Sequence, residues 1–248
     1  MMAKYDLTFD PPLMNAAGVL GFAPDPYSPF DLDKLGVFIT NPISLRQRNP
    51  ASGTRCLEYM GGILLHTGYP NPGLEAVIKH YGAHWDSSPL PVIVHLLAGD
   101  VNDIARMVAR LEEMPGVAGF EIGLPPRCEP AAAAEFTHAA LGELPVIIRL
   151  PFENATELAP ALVDAGLAAV SLAPPRGSMI DQDGNLVHGR LFGPAIYPQA
   201  LELLLRLLET GTAVIPSGGI YRQEQVDAML VSGATAVQLD AVIWRGGY

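Results

Sequence analysis

Residues Leu191 to Asp240 read LFGPAIYPQALELLLRLLETGTAVIPSGGIYRQEQVDAMLVSGATAVQLD. Two short apolar runs rich in β-branched residues, Thr212–Ile215 and Ala234–Leu239, alternate with two stretches of helical periodicity. Gly193-Pro194 opens the first helix, and Ser217-Gly218-Gly219 sits where the first strand turns into the second helix. Strand, glycine turn, helix, strand is a βαβ unit, whose parallel strands require a right-handed crossover. Glycines at such a turn let a ligand approach the backbone, and the helix N-terminus presents free N–H groups to an anion. In a (β/α)8 barrel the loops after strands seven and eight often hold phosphate. The stretch therefore suggests a barrel that holds, or once held, a phosphorylated cofactor.

Length and composition agree. The 248 residues match one (β/α)8 barrel of about 250, and no linker-like break divides them, so a single domain over 1–248 is expected. Charged residues are sparse at 17% and the mean hydropathy is +0.24, which suits a parallel sheet buried under helices. No apolar run is long enough to span a membrane, and MMAKYDLTF lacks the core of a signal peptide, so the cytoplasm is expected. A net charge of -11 with only three lysines argues against a nucleic-acid surface. Cys56 and Cys128 lack metal-site spacing, and reduced thiols with no metal are expected. Asp181, Asp183 and Asn185 resemble part of a calcium loop, but no terminal glutamate follows.

Eight strands are expected at Leu13–Ala17, Val37–Thr40, Val92–Leu97, Gly119–Leu124, Val146–Leu150, Ala168–Ala173, Ala213–Pro216 and Ala236–Leu239. Helices are expected at Glu75–Tyr81, Asn102–Met114, Glu129–Leu141, Ala155–Ala165, Pro198–Glu209 and Gln223–Val231. Only Val242–Tyr248 remain for a shortened last helix, where Val242, Ile243, Trp244 and Tyr248 would offer apolar surface to a partner. Two connections are long: Asn41–Gly73 after strand two, and Pro174–Gly193 after strand six, which carries a hairpin-turn signal at Asp181–Asn185. Both belong on the C-terminal face, where barrel enzymes do their chemistry.

Several motifs in one order resemble the dihydroorotate dehydrogenase family of FMN-containing barrels. They are PPLMNAAGVLG from Pro11, LGVFITNPISLRQRNP from Leu35, GGILLHTGYPNPG from Gly61, then FGPAI, SGGI and GATAVQL. The resemblance implies a flavin ring against Ala17-Gly18, a cation at Arg149 facing its pyrimidine edge, and a phosphate near Gly193, Gly218 and Gly219. It also implies a homodimer or an electron-transfer subunit as partner.

The chain departs from the family where chemistry is done. The run EIGLPPRC places Pro126 where the family has the base that takes the substrate proton, and proline accepts none. Cys128 lies two residues on, and is read as a base in a shifted loop or as a bystander thiol. The asparagines that read the substrate are matched by Leu65, His95, Cys128 and a turn containing Pro174; the family's lysine after strand two is matched by Asn41. Asp240-Ala241 replace the Gly-Thr of the phosphate site, and a carboxylate repels a dianion by roughly 4 kcal/mol per charge pair at 4 Å. His95 and His66 remain as acid–base candidates, each with a plain alternative as a core or surface histidine. Arg149 is equally readable as an internal partner of Glu121. His188 and Arg190 are placed as a lid over the mouth. Two functions follow: an FMN oxidoreductase with a changed substrate, or a non-catalytic homologue binding a small ligand at the mouth.

Overall fold

The computed structural model describes residues 7, 9–97 and 99–246. Strands β1 (Leu13–Asn15), β2 (Phe38–Ile39), β3 (Cys56–Tyr59) and β4 (Gly62–Leu65) come before helix α1 (Leu74–Asp86). Then follow β5 (Val92–Leu97), α2 (Val101–Glu112), β6 (Val117–Gly123), α3 (Pro130–Ala140), β7 (Val146–Leu150) and α4 (Ala155–Leu158). The chain continues through β8 (Ala169–Leu172), β9 (Arg176–Ile180), β10 (Leu186–Phe192), α5 (Tyr197–Leu208), β11 (Val214–Ile215), α6 (Gln223–Val231) and β12 (Val237–Leu239).

Six of the eight expected strands form one curled parallel sheet in the order β11-β8-β7-β6-β5-β2. The other two, β1 and β12, pair with each other in parallel. Isolated parallel bridges, Met14 to Val37 and Ser217 to Gln238, join this pair to the two ends of the six-stranded sheet. Asn15 adds a side-chain link: its amide donates to the Ile39 carbonyl at 2.6 Å and its oxygen accepts from the Ile39 N–H at 2.8 Å.

Side chains alternate along each strand, so each contributes to two cores. Met14, Val37, Ile39, Ile93, Ile147, Ala169, Ile215 and Ala236 pack together on one face. The other face meets the helices in a larger cluster that includes Val94, Phe120, Ile148 and Leu204. Helix α2 shows how a helix is fixed there. Asp100 caps its first turn by accepting from the Asn102 N–H at 2.8 Å, and Ile104, Met107, Val108 and Leu111 are buried along one stripe.

Three helices differ from expectation. The first runs on past Gly82 to Asp86, because Trp85 is buried and its indole N–H reaches the Phe22 carbonyl at 2.8 Å. The fourth stops at Leu158 and continues as a 3-10 turn over Ala159–Leu162. Pro160 has no N–H to continue the α-helical ladder. The last is reduced to a 3-10 turn at Ile243–Arg245. Val242 and Ile243 are buried rather than offered to a partner, Trp244 is 45% exposed, and Tyr248 lies outside the described residues.

The two long connections meet. Strands β3, β4, β10 and β9 form an antiparallel sheet, with Arg190 opposite Leu65 and Phe192 opposite Ile63. Asp181 closes the β9–β10 hairpin by accepting from the N–H groups of Asp183 and Asn185, and also accepts from Thr54 Oγ1 at 2.9 Å. That carboxylate is used within its own turn, as in an Asx-turn.

Candidate functional site

Two residues beyond the apolar layer, the same alternation brings in polar side chains. His95 follows Ile93, Arg149 follows Ile147, Ser171 follows Ala169, Ser217 follows Ile215 and Gln238 follows Ala236. All five are buried, and the ladder sets His95 beside Glu121 in register. Glu121 has no exposed surface and is the common acceptor for four of them, His95, Arg149, Ser171 and Gln238. Its Oε1 accepts from Ser171 Oγ at 2.6 Å and from Gln238 Nε2 at 2.6 Å. Its Oε2 faces His95 Nδ1 at 2.6 Å and an Arg149 terminal nitrogen at 3.5 Å.

Burial alone would raise the Glu121 pKa, but the Arg149 guanidinium, with His95 and Ser171, holds it down to about 2. The carboxylate is therefore ionised and can only accept, which requires the hydrogen of His95 on Nδ1. Burial outweighs Glu121 at His95 and lowers its pKa, so the imidazole is neutral and its Nε2 is free to accept. An added Cβ at Gly123 would meet that Nε2 at 2.8 Å, so the glycine makes room for the ring.

Above this layer lies a cavity of about 360 Å³. His95, Arg149, Gly123 and Pro126 form its floor and wall on the strand side. The antiparallel sheet and its loops supply His66, Tyr69, His188 and Arg190 from the other side. His66 and Arg190 both line this cavity. His188 also lines the cavity, and Ser178 Oγ lies 2.7 Å from its Nδ1.

Cys128 does not join them. It is buried among apolar neighbours, its Sγ lies 3.6 Å from the Glu129 carbonyl, and burial raises its pKa, the surroundings of a structural thiol. Pro126 lines the cavity in its stead. Ala17 is half-buried against the apolar layer and Gly18 is exposed beside Pro42, at the cavity's edge. Sequence reasoning did not single out Ser171 or Gln238, which are ordinary residues until the strand period places them opposite Glu121.

A profile described as dihydroorotate dehydrogenase matches residues 2–126. The catalytic subunit of dihydroorotate dehydrogenase B (NAD(+)) from Geotalea uraniireducens is 31% identical, over 92% of this chain and 82% of its own length. The protein of the same description from Geotalea daltonii is 31% identical over 96% of this chain and 87% of its length. That from Pelobacter propionicus is 30% identical over 92% and 82%. The chain belongs to the dihydroorotate dehydrogenase family.

The family resemblance puts the FMN phosphate near Gly193 after β10 and at the ends of β11 and β12. An added Cβ would meet the Gly61 carbonyl oxygen at 2.0 Å from Gly193, and the Tyr197 nitrogen at 2.3 Å from Gly219. Both glycines are therefore required by backbone packing alone. Gly218 is looser, with Ile196 Cγ2 at 3.0 Å. Asp240 is 1% exposed, and its Oδ1 accepts from the Ala241 N–H at 2.6 Å. Burial raises its pKa to about 6, while the N–H groups of Ala241 and Gly219 pull the other way. These backbone donors already face a carboxylate of the chain, and a dianion beside it would be repelled. As the side chains stand, the residues do not fit the FMN phosphate.

Proposed function

We propose that this dihydroorotate dehydrogenase homologue is a single (β/α)8 barrel that binds a small molecule at its mouth and no longer oxidises dihydroorotate. The observation that carries the reading is Asp240, buried with its carboxylate on the donors a cofactor phosphate would need. Pro126 on the cavity wall, with no side-chain proton acceptor, agrees with it. The bridges from Met14 to Val37 and from Ser217 to Gln238 support closure of eight strands. Among the described residues no helix is long and apolar enough to cross a membrane. We place the protein in the cytoplasm, and the description of its homologues as subunits makes a second chain, identical or different, its natural partner.

A second reading, a flavin oxidoreductase with a changed substrate, is favoured by Arg149 Nε, Ser217 Oγ and Gln238 Oε1. Among the described residues these are buried polar atoms without a protein partner. Dihydroorotate oxidation assayed with added FMN and either NAD+ or a dye acceptor tests the first reading, and retention of added FMN through gel filtration separates it from the second. The expected result is no turnover proportional to protein. Turnover that scales with protein would contradict the proposal.

A further inference from the structure

We propose that the mouth cavity binds a small organic dianion, a phosphate monoester or a dicarboxylate, between Arg149 and Arg190. The inference rests on the mouth being the ligand site and adds the chemistry of what enters it. Four arginines, Arg48, Arg149, Arg176 and Arg190, line the cavity together with three histidines, and among the described residues none that lines it is a carboxylate. In a chain of net charge -11 this local excess of cations runs against the composition.

One of these guanidiniums is buried and a second is half-buried. Arg149 is 6% exposed, and among the described residues its Nε has no partner. Its one carboxylate neighbour, Glu121, lies at 3.5 Å and is already occupied by His95, Ser171 and Gln238. Arg190 donates to the Pro174 carbonyl at 3.0 Å and lies over the Tyr69 ring at 5.5 Å. Among the described residues no carboxylate is within ion-pair distance of it. Burial pushes its pKa down, a sign that its charge is poorly solvated.

One ionised Glu121 cannot neutralise two guanidiniums. A buried charge without a counterion is unfavourable, and a ligand bringing two negative charges removes that deficit. Guanidinium is the cation whose planar fork best matches carboxylate and phosphate oxygens. Neutral His95 Nε2 adds an acceptor on the same floor for a hydroxyl or N–H of the ligand. The 360 Å³ volume suits a small metabolite.

The test is calorimetric titration of the full-length protein with inorganic phosphate, succinate and, as the singly charged control, acetate, at constant ionic strength. At least one dianion is expected to bind about tenfold or more tighter than acetate. Arg190→Gln, with folding checked by thermal unfolding, is expected to weaken that dianion by about tenfold or more. Equal binding of all three probes, or an unchanged affinity in folded R190Q, would overturn the assignment. Titration with a set of neutral fragments, read at the backbone amides of Gly123 and Gly189, separates the two levels of inference. Shifts from neutral fragments alone would overturn the dianion and leave the mouth as a ligand site. No shift from any compound would overturn both.

Discussion

Glu121→Gln is expected to lower the stability of the folded chain by about 3–5 kcal/mol, the range for removing one partner of a buried ion pair. A glutamine keeps the volume of Glu121 but replaces one acceptor oxygen by a donor. Four groups now donate to the carboxylate, from His95, Arg149, Ser171 and Gln238, and the amide would set an N–H against one or two of them. It would also leave Arg149 buried without an anion. In a domain of this length the expected drop in Tm is about 10 °C. Ser171→Ala is the control: it removes one donor while Gln238 still bonds Oε1, and should cost about 1 kcal/mol. A Glu121→Gln loss no larger than that of the control would remove Glu121 from its central place.

The pH dependence of the same variant has a defined sign. The folded pKa of Glu121 lies at about 2, below its ordinary value of 4.5. Its stabilisation is therefore complete above about 4.5 and fades as pH falls toward about 2. The gap between wild type and variant should narrow over that interval.

Asp240 has the opposite sign, and its substitution is expected to stabilise the protein at neutral pH. Burial raises its pKa from 3.8 to about 6, so the ionised form is the one the fold disfavours. The relative stability of wild type is full below about pH 4 and is lost as pH rises through about 6. Asp240→Asn keeps an oxygen to accept from Ala241 and carries no charge. Relative to wild type it should gain up to about 3 kcal/mol above pH 6 and little below pH 4. Urea unfolding of both proteins across that range measures the difference, and a difference independent of pH would show that the carboxylate is not under strain. Asp240→Gly goes further, since it removes the resident anion from the N–H groups of Ala241 and Gly219. FMN affinity should rise by about a hundredfold or more over wild type, the equivalent of the roughly 4 kcal/mol repulsion relieved in part.

How much of this was legible in the chain follows from the range of the forces involved. The eight parallel strands announce themselves as short apolar runs, because both of their faces are buried. Glu121, His95 and Arg149 sit at the polar ends of such runs, so a strand period of two already turns them inward. Distances along the chain set the limit. The Asp181 turn is visible locally, but its bond to Thr54 spans 127 positions, and no local signal joins the two long loops into one sheet. Cys128 stood two residues from an expected base, and only the course of the loop after Gly123 decides that its thiol packs into the apolar cluster. The direction of Asp240 was similarly open until the Ala241 N–H was seen to take it.

The central claim is that the scaffold of the family is retained while its phosphate seat is filled from within. The most direct measurement is the visible absorbance spectrum of the purified full-length protein, recorded as isolated and again after incubation with FMN and gel filtration. The expected result is no flavin band in either sample. A protein that is yellow as isolated, or that retains FMN in proportion to its concentration, would contradict the account.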